Sequence, residues 1–333
     1  MTKIYLIRHG EAEGNIFRRL HGQYDSLLTP RGHRQVACLR KRFENIPIDG
    51  CFASDLTRAC LTARAIYVPK GLTLHRDKRF REVDVGIWED IPYGYLDNFE
   101  TEGMSLFTND PPAWFVEGGE TFDEYTSRFL AGLAEAAEQF DGGTIAVVAH
   151  GAAIRSTLMR LFFMEDLSKL PFSDNTGVSL LQYDNGNFSY DFLNDNSHIP
   201  EELSTFHIQR WWRETGRRKE AAVYFRPLEE SSDGIVLSAI LIDREVGRLA
   251  MGAPQGDTAV VLSMSLKNEL DGRYYGDQLL GEAFSRARIS GCRNLRLTPG
   301  YYPDNIVERY EFDPDTLTRC IDPHMYCWEE TKC

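Results

Sequence analysis

Long apolar runs are missing from this chain of 333 residues, and none approaches the roughly 20 apolar residues that a helix needs to cross a bilayer. Basic charge is short as well. Lys and Arg number 37 against 50 Asp and Glu, a formal net charge of −13, which argues against extended binding to nucleic acid or an anionic membrane, since both need cations in surplus along a surface. A small anion in one local basic pocket is compatible with that balance. CxxC pairs are absent. The seven cysteines (Cys38, Cys51, Cys60, Cys292, Cys320, Cys327, Cys333) are an odd number in a long chain, a pattern of reduced, structural thiols. Cys320, His324, Cys327 and Cys333 fit no common zinc spacing. The start, Met1-Thr2-Lys3 followed by Ile4 to Ile7 and Arg8, lacks the pattern of a secretory signal. The cytoplasm is the expected location.

What is present reads as two unlike domains, with no internal repeat. Residues 1–200 alternate short β-rich runs with helical patterns, an α/β domain. The runs are Ile4 to Ile7, Gly50 to Ala53, Leu72 to His75, Thr144 to Ala149, Ser179 to Tyr183 and Phe188 to Leu193. Thr29-Pro30 opens a helix to about Phe43, because a side-chain oxygen caps free amides and Pro fits the first turn. Further helices are expected from Ser54 and from about Thr121 to Phe140. Residues 201–220 form a connector whose basic-aromatic core, His207 to Arg213, includes Trp211 and Trp212; it is expected to dock through its tryptophans. Residues 221–333 open with strands at Ala222 to Arg226, Ile235 to Ile242, Val246 to Met251 and from Thr258, then a helix from Gly276 to about Ser290 and a strand from Asn294 to Thr298.

Chemistry gathers where strands end. Arg8-His9-Gly10-Glu11 follows the first strand, His150-Gly151 follows the Thr144 run, and Arg58 falls in the first turn of the helix after Gly50 to Ala53. Sites in α/β sheets form beyond the carboxyl ends of strands, so two Arg and two His converging there would make an anion pocket. The ordered series Arg8-His9-Gly10-Glu11, Asn15, Leu28-Thr29 with Gly32, Ser54 to Ala59 with Thr62-Ala63, Glu82 with Gly86 and Trp88, Gly118-Gly119-Glu120, and His150-Gly151 resembles the histidine phosphatase (phosphoglycerate mutase-like) superfamily over residues 1–195. One departure is Asp90, where many relatives have Gly after the Trp-Glu pair. The resemblance implies a three-layer αβα fold and a metal-independent phosphoryl transfer through a phosphohistidine. By that likeness His9 attacks phosphorus, and Arg8, Arg58 and His150 neutralise its oxygens. Glu82 protonates the leaving oxygen, and Asn15, Glu120 and Gly151 complete the substrate contacts. Neighbouring Asp84, Glu89 and Asp90 are expected to raise the Glu82 pKa.

A second local absence bears on substrate. From residue 82 to residue 127 there is no Lys or Arg, while twelve acidic residues occur. In the family that stretch builds much of the lid, and a mutase needs cations to hold a second anionic group. The lid instead offers Trp88, Tyr93, Tyr95, Phe99, Phe107, Trp114 and Phe115. A phosphomonoesterase acting on a small phosphorylated metabolite is therefore expected, with a phosphoglycerate-type mutase as the alternative should Arg18, Arg19 and His21 reach the pocket. No nucleic-acid or membrane partner is expected, and the oligomeric state is left open. The second domain, with its strand, Arg273-to-Gln278 loop, helix and strand, resembles a truncated α+β GNAT-type N-acetyltransferase. That likeness implies acetyl-CoA as a ligand of Arg273, Gly276 and Asp277, with Tyr310 protonating a thiolate. A bifunctional or acetyl-CoA-regulated protein is the further alternative. Gln278 stands where that family's loop ends in a small residue.

Overall fold

The structure, a computed structural model, describes residues 1–267, 274–302 and 305–325. The first domain carries strands β1 (Thr2–Arg8), β2 (Arg19–Leu20), β3 (Gly50–Ala53), β4 (Leu74–Arg76), β5 (Ile91–Pro92), β6 (Thr144–Ala149), β7 (Val178–Asp184) and β8 (Asn187–Asp195). Its helices are α1 (Glu13–Phe17), α2 (Pro30–Phe43), α3 (Thr57–Lys70), α4 (Tyr93–Phe99), α5 (Thr101–Asn109), α6 (Phe122–Gln139) and α7 (Gly151–Leu158). The connector holds α8 (Thr205–Arg213). The second domain has β9 (Tyr224–Ser231), β10 (Gly234–Leu241), β11 (Arg244–Gln255), β12 (Thr258–Leu266), α9 (Tyr275–Ile289), β13 (Asn294–Leu297), α10 (Ile306–Arg309) and β14 (Thr318–Cys320).

The first sheet runs β4-β3-β6-β1-β7-β8, with β4, β3, β6 and β1 parallel and the β7-β8 hairpin antiparallel. Alternation along β6 makes the three layers. Ile145, Val147 and Ala149 pack with α6 and α7, whereas Ala146 and Val148 pack with α2 and α3. A strand buried on both faces needs an unbroken apolar run, which is what Thr144 to Ala149 supplies. The Thr29 cap accepts the Gly32 amide at 3.0 Å, and Thr121 with Glu124 forms a capping box on α6. The helix expected from Ser54 starts later, at Thr57. Asp25, from a distant loop, accepts the Thr57 amide at 2.9 Å and its hydroxyl at 2.7 Å, a tertiary cap that fixes the start.

The second sheet runs β14-β13-β12-β11-β10-β9, antiparallel except for the β12-α9-β13 crossover. β9 turns directly into β10, with no helix between them. Ile16 and Phe17 of α1 are buried in this domain's core, beside Phe284 and Tyr310. Gly281 makes that approach possible, since a Cβ there would lie 2.5 Å from the Phe17 Cβ. The two domains are thus joined by a packed seam. Cys51 and Cys60 are buried in the first domain and Cys292 in the second. Cys327 and Cys333 lie outside the described residues.

Candidate active site

Because β3, β6 and β1 are adjacent and parallel, their carboxyl ends open on one crevice. Arg8 ends β1 with His9 next, His150 sits between β6 and α7, and Arg58 occupies the first turn of α3. The crevice is a cavity of about 510 Å³. Its hydrogen bonds define the state of His9. Nδ1 lies 2.6 Å from the Gly10 carbonyl; a carbonyl only accepts, so Nδ1 carries the proton and Nε2 keeps its lone pair. Burial, then the Arg58 and Arg8 charges, holds the His9 pKa well below the usual His range. The imidazole is therefore neutral and poised as a nucleophile.

The surrounding cations are held by carbonyls. Arg58 donates to the Gly22 and Tyr24 carbonyls at 2.7 and 2.8 Å, and Arg8 donates to the Ser173 carbonyl at 2.5 Å. The Arg8 Nε and both ring nitrogens of His150 are buried and make no hydrogen bond among the described residues. The His150 ring lies 5.2 Å from the His9 ring. A side chain at Gly151 would crowd Arg8, since a Cβ would meet Arg8 Nε at 3.0 Å. Asn15 Oδ1 accepts the Ala12 amide and the Asn175 side-chain amide, leaving the Asn15 NH₂ as its remaining donor.

Glu82 docks on the start of α7, where its oxygens accept the Ala153, Ala152 and Val83 amides at 2.6, 2.9 and 3.1 Å. Its pKa is raised by burial, against the pull of those amides and of Arg58. Burial thus replaces the expected cause, the neighbouring carboxylates. Glu89 accepts the Gly22, Gln23 and Tyr24 amides, bracing the loop whose carbonyls hold Arg58. Asp90 accepts from Arg19 at 2.6 Å and lies 2.9 Å from His21. Glu120, expected to touch substrate, does not line the cavity. It grips Arg128 with both oxygens and accepts the Asp84 amide, while Arg128 donates to the Arg79, Arg81 and Glu82 carbonyls. It positions the Glu82 loop.

A family model for the histidine phosphatase superfamily (branch 1) matches residues 4–196. The chain belongs to that superfamily. The probable phosphoglycerate mutase GpmB of Salmonella choleraesuis is 34% identical over 154 residues, 46% of this chain and 72% of that one. Among solved structures, YhfR of Bacillus stearothermophilus is 27% identical with a TM-score of 0.57, over 60% of this chain and all of its own. The phosphoserine phosphatase of Entamoeba histolytica, solved as an H9A mutant with phosphoserine, is 25% identical with a TM-score of 0.52, over 60% and 100%. These likenesses confirm the expected family and the phosphoglycerate mutase-like fold of the first domain.

Beyond the superfamily motifs, the cavity holds cations that reading the lid alone had missed. Among the described residues, seven arginines line it and Glu82 is the one acid that does. Arg18 lies between the Tyr93 and Trp212 rings at 4.6 and 4.5 Å, Arg155 lies over Phe172 at 4.2 Å, and Arg213 over Phe206 at 3.7 Å. None of these three forms an ion pair among the described residues. Arg218 pairs with Asp97 at 2.8 Å. Arg155 is four residues past Gly151 on α7, a helical spacing that points to the same face; nothing local marks Arg213. Of the seven lid aromatics only Tyr93 and Phe107 line the cavity. Trp88 and Trp114 meet in the core with their rings tilted by 48°, while Tyr95, Phe99 and Phe115 are exposed. Five of the seven aromatics therefore lie away from the cavity.

In the second domain Gly276, Asp277 and Tyr310 are buried, and Arg273 lies outside the described residues. Tyr310 gives its hydroxyl to Asp277 at 2.5 Å, and Arg309 closes on the same carboxylate at 2.8 Å. Gln278 bonds the Val223 amide and the Ala221 carbonyl, tying α9 to the end of the connector. Tyr310 is thus buried with its hydroxyl bonded to Asp277. Among the described residues no cluster of three His, Cys, Asp or Glu is arranged to hold a metal, and no helix is long and apolar enough to cross a membrane.

Proposed function

We propose that the chain is a phosphomonoesterase that works through a phosphohistidine on His9. The observation that carries this reading is the Nδ1–H to Gly10 carbonyl bond, which directs the Nε2 lone pair to the task of attack. A phosphomonoester binds with its oxygens among Arg8, Arg58, His150 and the Asn15 amide. Nε2 forms the N–P bond as the P–O bond to the leaving group breaks. Glu82, whose pKa burial raises, gives its proton to the departing oxygen. Water then attacks phosphorus, passes a proton to the Glu82 carboxylate, and breaks the N–P bond to release phosphate. Charge on the phosphoryl oxygens is met by fixed cations, the main demand of this chemistry.

Base quenching during turnover, followed by acid treatment, tests it. The expected result is a phosphoryl adduct stable in base and lost in acid, absent from His9→Ala. Full activity in His9→Ala overturns the reading. A mutase is the second reading, favoured by the Arg18, Arg155 and Arg213 cluster, since a bisphosphorylated intermediate needs added cations. Incubation with 3-phosphoglycerate separates the two. Phosphate release faster than positional transfer supports the phosphatase, and the reverse supports the mutase. For the second domain, the β12-α9-β13 crossover supports an acetyltransferase-like layout, and the buried Tyr310-Asp277 pair favours a structural role over acetyl-CoA chemistry. Calorimetry with acetyl-CoA tests that, with no heat expected.

A further inference from the structure

The family match ends at residue 196, yet the cavity does not. Thr205, Phe206, Gln209, Trp212, Arg213 and Arg218 of the connector supply one of its walls. Arg213 on that wall shares the Trp212 ring with Arg18 and the Phe172 ring with Arg155, and none of the three is in an ion pair among the described residues. A cation stacked on a ring keeps its edge N–H groups free, because the ring engages the face of the guanidinium plane. Arg18 and Arg155 each have a buried Nε that makes no hydrogen bond among the described residues, and Arg155 spends one N–H on the Thr108 carbonyl at 3.2 Å. Burial, followed by the Arg8 and Arg18 charges, pushes the Arg213 pKa down to about 10, with Asp174 opposing. In a chain with thirteen more acidic than basic residues, leaving three arginines together without an acid is a costly arrangement unless an anion completes it. Asp174 offsets part of that charge from a distance; among the described residues it forms no ion pair with Arg213, and its oxygens accept the Ser204 hydroxyl at 2.6 Å and the Asn175 amide at 2.7 Å.

We infer that Arg18, Arg155 and Arg213 form a second anion subsite, so that the substrate is a phosphomonoester carrying a further carboxylate or phosphate, selected by the connector. The inference rests on the phosphatase reading for the assignment of the first phosphate to His9. It reverses the preference drawn from the lid, because the cations come from α1, α7 and α8 rather than from residues 82–127. Arg213 and Arg155 are then specificity-determining residues that touch the non-reacting end of the substrate, and Arg18 is fixed between two rings to face the same group.

Matched esters test it. 3-Phosphoglycerate differs from glycerol 3-phosphate by a carboxylate, and fructose 1,6-bisphosphate differs from fructose 6-phosphate by a second phosphate; the two pairs separate the sources of the anion. The readout is the ratio of kcat/KM within each pair. Wild type is expected to prefer the more anionic member of at least one pair. Arg213→Gln and Arg155→Gln are expected to lower that ratio roughly 10- to 100-fold, the effect of losing a hydrogen bond to a charged group. Arg213→Lys should recover part of it, and Arg217→Gln, an exposed neighbour, none of the loss. No preference in wild type, or a ratio within twofold of wild type in both variants, overturns the subsite. If wild type hydrolyses none of the four esters, the phosphatase reading fails by itself. Calorimetry on His9→Ala then decides the subsite. Preferential binding of the more anionic esters that Arg213→Gln abolishes supports it, and retained or absent preference overturns it.

Discussion

Arg18 and Arg19 are neighbours in sequence and opposites in surroundings. Arg19 points into the seam between the domains, where its Nε meets Asp90 at 2.6 Å, Nη1 meets Glu282 at 2.7 Å and Nη2 meets Ser285 at 3.0 Å. Burial opposes its charge, yet Asp90 and Glu282 more than offset this and raise its pKa. Arg18, in the left-handed region at φ 55° where α1 ends, points the other way, between two aromatic rings, and burial lowers its pKa. A buried cation closed by carboxylates holds structure together. One held by carbonyls and rings is free to take a ligand. Arg8, Arg58, Arg155 and Arg213 belong with Arg18, whereas Arg128, closed by Glu120, belongs with Arg19.

Substitutions can break that division. Arg58→Met, which removes a cation held only by carbonyls, is expected to lower kcat/KM by roughly 10³-fold or more, with a smaller change in stability measured by denaturant unfolding. A stability loss that dominates would erase the distinction. Arg19→Met removes the cation that Asp90 and Glu282 share, leaving Asp90 only His21 and Glu282 only Arg286 among the described residues, which is expected to cost about 3 kcal/mol in the same unfolding measurement. Arg18→Met should cost about 1 kcal/mol or less, so equal losses at the two sites would refute the contrast. Gly281→Val sharpens the picture of the seam, since crowding Phe17 is expected to cost about 1–3 kcal/mol without changing kcat.

Proton titration gives the smallest effects, with definite signs. His9 and His150 are buried neutral with lowered pKa values, so the unfolded chain takes up more protons below its own His pKa. Stability is then complete above about pH 6.5 and falls as the pH drops toward the folded values. Unfolding at pH 7.5 and 5.5 measures this. For activity, a lowered His9 and a raised Glu82 place the working window on the acid side of neutrality for esters with poor leaving groups. A kcat/KM that climbs through pH 8 would contradict the acid role of Glu82.

Most of the candidate site was legible because its members are tied to strand ends, and strand ends follow from apolar runs. β3 and β6 lie where their runs predict, and His9, Arg58 and His150 come together as expected. Missing from the sequence pattern were contacts made by folding alone. Asp25 caps α3 across 32 residues, and β14 is three residues long, held by pairing to β13 rather than by any periodicity. Charge along residues 82–127 describes only part of the cavity for a related reason. Arg18, Arg19 and His21, named from the sequence as cations able to reach the pocket, do line it, and Arg155 of α7 and Arg213 of α8 join them from outside that segment. Asp90, a departure from the family pattern, acquires its reason only from Arg19 and His21.

The cysteines allow the seam to be timed. Burial pushes the thiols of Cys51 and Cys60 up to about 12 and raises that of Cys292, so in the native state they are poor nucleophiles toward alkylating agents. With Cys38, Cys320, Cys327 and Cys333 replaced by Ser, each core keeps its own silent probe. Pulsed alkylation read by peptide mass would then show whether Cys51 and Cys292 become reactive at one rate, as a single cooperative unit, or whether one sheet opens while the other stays shut.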